Sequence, residues 1–233
     1  MRGNGARTVS VNVLAISAHP DDETLGCGGT LLQHRAAGDA LHWIVVTEAP
    51  APQWPPDVIR LKADEVHRVA EAYGMQSVAK LGFPAARLDQ TPQAELIGNI
   101  HDAIAVVRPH TVYLVHRGDV HSDHRAVFDA TMSVLKPFHL EGLGVRRVLS
   151  YETLSSTDAA PRGIGPFEPN VFVDVTPQFE RKLAIMAMYE SEVHPDPMPR
   201  GPSSIRALAR ARGATVAVQY AEAFMLVREI FAP

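Results

Sequence analysis

Apolar positions along the chain switch between two spacings. Val11, Val13, Leu14, Ala15 and Ile16 form a short, β-branched-rich run, the pattern of a parallel strand buried on both faces. Leu25, Leu31 and Leu32 then fall at helical spacing within residues 24–37, and Gly38 supplies a C-terminal stop. The order repeats: a strand over 41–46, a helix over 57–73 through Val58, Leu61, Val66, Val69 and Ala70 up to Gly74, and a short strand over 78–81. Beyond it the pattern predicts a helix over 91–107, a strand over 111–115 and a helix over 125–135. Strands over 146–151 and 171–175 follow, then helices over 177–189 and 205–212. This alternation predicts an α/β fold: one Rossmann-like domain, residues 1–233, with a mostly parallel sheet flanked by helices. A length of 233 residues suits one well-buried domain.

Two of these strands end in polar clusters. His19, Asp21, Asp22 and Glu23 follow the first strand, with Pro20 stiffening the corner, and the stretch from His116 to His124, HRGDVHSDH, follows the strand over 111–115. In open α/β sheets ligands bind beyond the carboxyl ends of the strands, so both clusters are placed for chemistry. An imidazole and a carboxylate three residues apart suit zinc, and the carboxylate left over is what metal-assisted hydrolysis needs as a general base. Taken alone, the acidic residues of the first corner also read as complements to a helix N-terminus. His121 and His124 share one helical face if the helix begins at or before His121. His116 reads as a loop histidine and Asp119 as a turn cap. Gly26, Gly28 and Gly29 come after the acidic corner and lack the last glycine of a dinucleotide fingerprint, and Cys27 between them reads as a small buried residue.

Composition narrows the partners. A net charge of -4 argues against a nucleic-acid backbone, and a single cysteine excludes an intramolecular disulfide and fits a reducing compartment. The first apolar run is only strand-length and nothing approaches a membrane span, so the expected address is the cytoplasm, with no stable membrane insertion. Residues 49–57, with four prolines and Trp54, and residues 191–202, also proline-rich, are irregular and read as walls of a site or as a lid. Trp54 either faces a substrate or packs its own loop down; His194 reads as an ordinary exposed histidine.

At the two clusters together the chain resembles the zinc-dependent deacetylases related to N-acetylglucosaminyl-phosphatidylinositol deacetylase, the PIG-L or LmbE-like family, which includes deacetylases of mycothiol and bacillithiol pathways. The motifs here are Ala18-His19-Pro20-Asp21-Asp22-Glu23 and Asp119-Val120-His121-Ser122-Asp123-His124. Weaker likeness runs through Gly82-Phe83, Tyr189-Glu190-Ser191 and the stretch from Tyr220 to Phe224. The resemblance implies a Zn2+ held by His19, Asp22 and His124, with Fe2+ or Co2+ as alternatives, and Asp21 as general base. It also implies His121 as a charged donor to the oxyanion, kept protonated by Asp123. The implied reaction is hydrolysis of an N-acyl, chiefly N-acetyl, amide on an amino sugar conjugate. An amidase acting on a thiol conjugate or a peptide-like natural product, or a non-catalytic sugar- or nucleotide-binding module, stands as the alternative. The partner is then a small amino sugar, with a homo-oligomer left open. Three positions depart from the family pattern: Lys62 where an arginine is common, Glu192 where a glutamine is common, and Ser122 for a proline. A lysine cannot make an arginine's fork, which leaves open how the substrate is anchored.

Overall fold

The computed structural model describes residues 10–161, 163 and 165–231. Seven strands, β1 (Asn12–Ser17), β2 (Ala40–Glu48), β3 (Ser77–Pro84), β4 (Thr111–Val115), β5 (Arg147–Tyr151), β6 (Val171–Asp174) and β7 (Ala221–Glu229), form one sheet in the order β3-β2-β1-β4-β5-β7-β6. The first five run parallel, and β7 is antiparallel to both β5 and β6. Among the described residues seven α-helices complete the α/β domain: α1 (Asp22–Ala36), α2 (Pro56–Tyr73), α3 (Gln93–Val107), α4 (Ser122–Val134), α5 (Pro137–Leu143), α6 (Phe179–Met186) and α7 (Pro202–Ala214). Among the described residues no helix is long and apolar enough to cross a membrane.

The winding places the site. From β1 the chain builds outward through β2 and β3, then returns to lay β4 on the other side of β1. The crevice between β1 and β4 is therefore the point where strand order reverses, the place where such sheets bind ligands. Register pairs Val13 with Thr111 and Ile16 with Leu114, so the two strands end side by side and their polar clusters meet. All but the first residue of β1 is buried, as a strand covered on both faces requires.

α1 is shaped by what packs on it. It starts at Asp22, two residues before the sequence pattern predicts, and kinks at Cys27 (φ -137°, ψ 15°). A Cβ on Gly26 would lie 2.0 Å from the Tyr151 ring and one on Gly28 would lie 2.4 Å from the Tyr73 hydroxyl, so these glycines serve close packing rather than a phosphate. At the kink Gly29 N and Thr30 N donate to the buried Glu222 at 2.8 and 2.7 Å, while Lys182 Nζ donates to Leu25 O at 2.8 Å and pairs with Glu222 at 2.7 Å. A straight helix would pair Gly29 N with Leu25 O; here a buried ion pair satisfies both ends.

Two elements lie outside the pattern read from the sequence. β7 carries the buried Glu222 among its inward positions, which breaks the apolar alternation of a strand. α5 is seven residues long, puts only Leu140 and Leu143 on the core and leaves Phe138 93% exposed, too short an apolar pattern to announce it.

Candidate metal centre and catalytic cavity

Three ligand atoms from the two corners converge. His19 Nδ1 and His124 Nε2 lie 3.3 Å apart, Asp22 Oδ1 is 3.3 Å from His124 Nε2, and Asp22 Oδ2 is 3.7 Å from His19 Nδ1. Donor atoms bound at ~2.0–2.1 Å around one tetrahedral ion sit roughly 3.3–3.4 Å from one another; the two spacings to His124 Nε2 match this and that between Asp22 and His19 is wider, so the residues present fit a small divalent cation after a small shift of the Asp22 carboxylate. Asp22 Oδ2 also accepts from the backbone N of His19 at 2.8 Å, which leaves Oδ1 as the open oxygen. His121 stands close by: one nitrogen from each of His19, His121 and His124 lies within 4.8 Å of the others, a group able to hold a metal ion.

The far nitrogens of His19 and His124 both face carboxylates. His19 Nε2 meets Asp123 Oδ2 at 3.0 Å. Asp119 Oδ2 lies 3.0 Å from His124 Nδ1, off the ring N–H axis, and accepts from the Thr157 hydroxyl at 2.8 Å. Ligating histidines characteristically carry such a carboxylate on the nitrogen that faces away from the metal, which fixes tautomer and ring orientation. Burial works against charge on His124, yet Asp22 and Asp119 outweigh it and raise its pKa to about 10. The same pairing holds Asp22, against its burial, well below the usual carboxylate range. Asp119, read from the sequence as a turn cap, does accept from His121 N at 2.8 Å, and its second oxygen is the part sequence reasoning missed.

The position of Asp123 corrects its expected partner. Its carboxylate binds His19, Ala86 N at 2.6 Å and Leu88 N at 3.3 Å, and among the described residues it makes no hydrogen bond to His121. His121 is the N-cap of α4, with extended backbone (φ -72°, ψ 122°), and does not share a helical face with His124, although the two rings stack at 5.0 Å. Its Nδ1 accepts from Asp123 N at 3.2 Å. A nitrogen that accepts carries no proton, so the ring is neutral with its proton on Nε2, in place of the charged donor expected. Burial and the neighbouring His19 and His124 act the same way, pushing its pKa down to about 4.

Asp21 closes the site from the other side. Its backbone sits at φ 113°, ψ -27°, a left-handed conformation costly for a residue with a Cβ. The conformation is held from below: Asp21 N donates to Glu23 Oε2 at 3.3 Å, and Glu23 Oε1 accepts from Thr24 and from Tyr189 at 2.6 and 2.7 Å. Burial, against these hydrogen bonds, raises Glu23 to about 7. Burial also raises Asp21 well above the usual carboxylate range, opposed by Arg200, whose Nη1 lies 2.7 Å from Asp21 Oδ2.

These groups open on a cavity of about 260 Å³. His19, Asp21, His121 and His124 line it, together with the charged Lys62, Glu192 and Arg200 and the apolar Trp54, Ile59 and Ala63. Trp54 thus faces the cavity as one of its two sequence readings has it. His194 is exposed and outside it, and the same proline-rich segment contributes Arg200 instead, which no periodicity or motif marked. His116 is buried against Gly165 O at 2.9 Å and Cys27 is buried in the α1 kink, so neither lines the cavity.

Known proteins are similar to the chain in sequence and in shape. The chain is 29% identical to an uncharacterized deacetylase, YaiS, of Escherichia coli K12 over 77% of this chain and 90% of that protein. It is 26% identical to the diacetylchitobiose deacetylase of Thermococcus kodakarensis, over 94% of this chain and 84% of the relative. The solved structure of the 4-carboxy-2-hydroxymuconate hydratase GalB of Pseudomonas putida KT2440 has the same fold, with a TM-score of 0.74 at 17% identity over 96% of this chain and 98% of the hydratase. The model of the GlcNAc-PI de-N-acetylase family, PIG-L, matches residues 14–135, just over half the chain and a span that holds both corners. The chain belongs to that family.

Proposed function

We propose that this chain is a metal-dependent N-deacetylase, a single catalytic domain that hydrolyses the N-acetyl amide of an amino sugar or amino sugar conjugate to the free amine and acetate. The observation that carries this reading is the pair of imidazoles, each with a carboxylate behind it, converging on the Asp22 carboxylate beside a cavity that Asp21 and His121 also line. A hydratase of the same fold shows that shape alone does not choose the reaction. The two relatives described above, deacetylases by name, favour amide hydrolysis.

We assign His19, Asp22 and His124 as the metal ligands, with zinc the first choice for a His, Asp, His donor set. Asp22 is preferred to His121 as third ligand because its open oxygen stands 3.3 Å from His124 Nε2, whereas His121 has no hydrogen-bonded carboxylate behind it. A zinc ion held there supplies Lewis acidity, lowering the pKa of a water to about 7 and polarising a carbonyl. Asp21 Oδ1, which no hydrogen bond engages among the described residues, takes the proton of the attacking water. As the C–N bond breaks, Asp21 returns that proton to the departing amine nitrogen. His121 Nε2–H donates to the oxygen on which negative charge develops. Asp123 and Asp119 hold the ligating rings and take no part in proton transfer.

The test is release of primary amine from a panel of N-acetylated sugars and glycosides by chelated, then zinc-reloaded, protein. Amine release that disappears with the metal and returns with it is expected. A reloaded protein that releases none, or that only adds water to an unsaturated acid, would overturn the reading.

A further inference from the structure

One cation is joined to three separate segments around the base. Arg200 Nη1 lies 2.7 Å from Asp21 Oδ2 and 2.6 Å from Glu192 Oε2, and its Nε donates to the Ser155 hydroxyl at 3.1 Å. Those partners belong to the corner after β1, the segment after α6 and the loop after β5. The links continue outward: Glu192 Oε1 pairs with Lys62 Nζ on α2, which also donates to Ser191 Oγ at 3.1 Å. Ser191 is itself fixed to Glu65 by its N at 2.8 Å and its hydroxyl at 2.7 Å. Lys62 and Glu192, two of the three departures from the family pattern, therefore meet each other and face Arg200 as one unit.

We propose that Arg200 is a positioning residue for the general base, gripping Asp21 by Oδ2 so that Oδ1 faces the cavity, with Glu192 and Lys62 holding the guanidinium in place. The inference rests on the deacetylase reading above for its kinetic test, though not for its structural one. Asp21 needs such a grip because its backbone is strained and the carboxylates of Asp22, Glu192 and Glu23 crowd it. Only a guanidinium presents separate N–H groups to a hydroxyl and two carboxylates in one plane; an ammonium is a point charge. Glutamate at 192 then makes sense beside lysine at 62, since one carboxylate oxygen serves each cation.

The experiment compares zinc-loaded wild type with Arg200→Ala, Arg200→Lys and Glu192→Gln. Arg200→Ala should keep its metal and its KM within about twofold, and lose about 10- to 100-fold in kcat, since a base displaced by ~1 Å costs up to that much. Arg200→Lys should recover part of the rate, Glu192→Gln should lose less, and Glu192→Gln added to Arg200→Ala should cost nothing more, because the two act through one contact. A rise in KM at constant kcat would make Arg200 a substrate contact, and a rise in kcat would make it a latch over the base; either overturns the proposal. If Arg200→Ala does not fold, the lysine and glutamine variants carry the test. Crystal structures of the zinc-loaded variants need no substrate: Asp21 should leave the position in which Oδ1 faces the cavity. An unmoved Asp21 sinks the proposal even if no sugar yet tried is a substrate, whereas a moved Asp21 with no amine release leaves it standing and removes the deacetylase reading.

Discussion

The two corners do the same job by different means. The corner after β1 is rigid by construction: Asp21 is strained, Pro20 precedes it, and Glu23 is tied to Tyr189, Thr24 and Ser17 beneath it. The corner after β4 has no strained residue and relies on side chains: His121 caps α4 while Asp119 and Asp123 reach out as carboxylate braces. Each needs the other. Asp123 of the second corner orients His19 of the first, and Asp22 of the first faces His124 of the second. A centre braced across a switch point cannot assemble until β1 and β4 are paired, so the sheet and the proposed ligand set form together.

Removing a ligand breaks both corners at once and gives the largest effect. His19→Ala and His124→Ala should each copurify with no metal and show no amine release; a variant that keeps full metal content by elemental analysis removes that residue from the ligand set. Losses confined to catalysis come next. His121→Ala should keep its metal and fall about 10²- to 10³-fold in kcat, the usual loss for one oxyanion donor, with little change in substrate binding. Metal loss on that change would make the three-histidine cluster the true ligand set. Asp21→Asn should also retain metal, with kcat lower by at least about a hundredfold. If its metal leaves, Asp21 and Asp22 have exchanged roles.

What was legible in the sequence follows the same division. The central strands and both corners could be read because their signals are local: apolar runs of four to six residues, then imidazoles and carboxylates within a few positions. Contacts made across the fold could not. The His19–Asp123 pair spans 104 residues and the Arg200–Asp21 pair spans 179, so no spacing rule points from one partner to the other. The family resemblance implied His121 as the partner of Asp123; at the start of α4 its side chain turns instead to His19 and to the backbone amides of Ala86 and Leu88 in the segment after β3. β7 was hidden because Glu222 is buried for the sake of the α1 kink, a tertiary need that strand periodicity does not encode.

The smallest effect is the one that separates the two braces. Both Asp119 and Asp123 stand behind an imidazole proposed as a ligand, yet their surroundings differ: Asp123 is aligned with the His19 N–H and held by two backbone amides, while Asp119 lies off the His124 N–H axis and is shared with Thr157 and His121 N. Loss of such a carboxylate costs roughly 10- to 100-fold in metal affinity. Asp123→Asn keeps size and one acceptor oxygen, so His19 and the Ala86 or Leu88 amide must compete for it, and the loss should lie toward the upper end of that range. Asp119→Asn should lie toward the lower end, because the off-axis contact contributes charge more than orientation. Competition against a chelator of known affinity measures both. If the order is reversed, cross-corner bracing is the weaker of the two supports, and His124 is oriented chiefly by the carboxylate of its own loop.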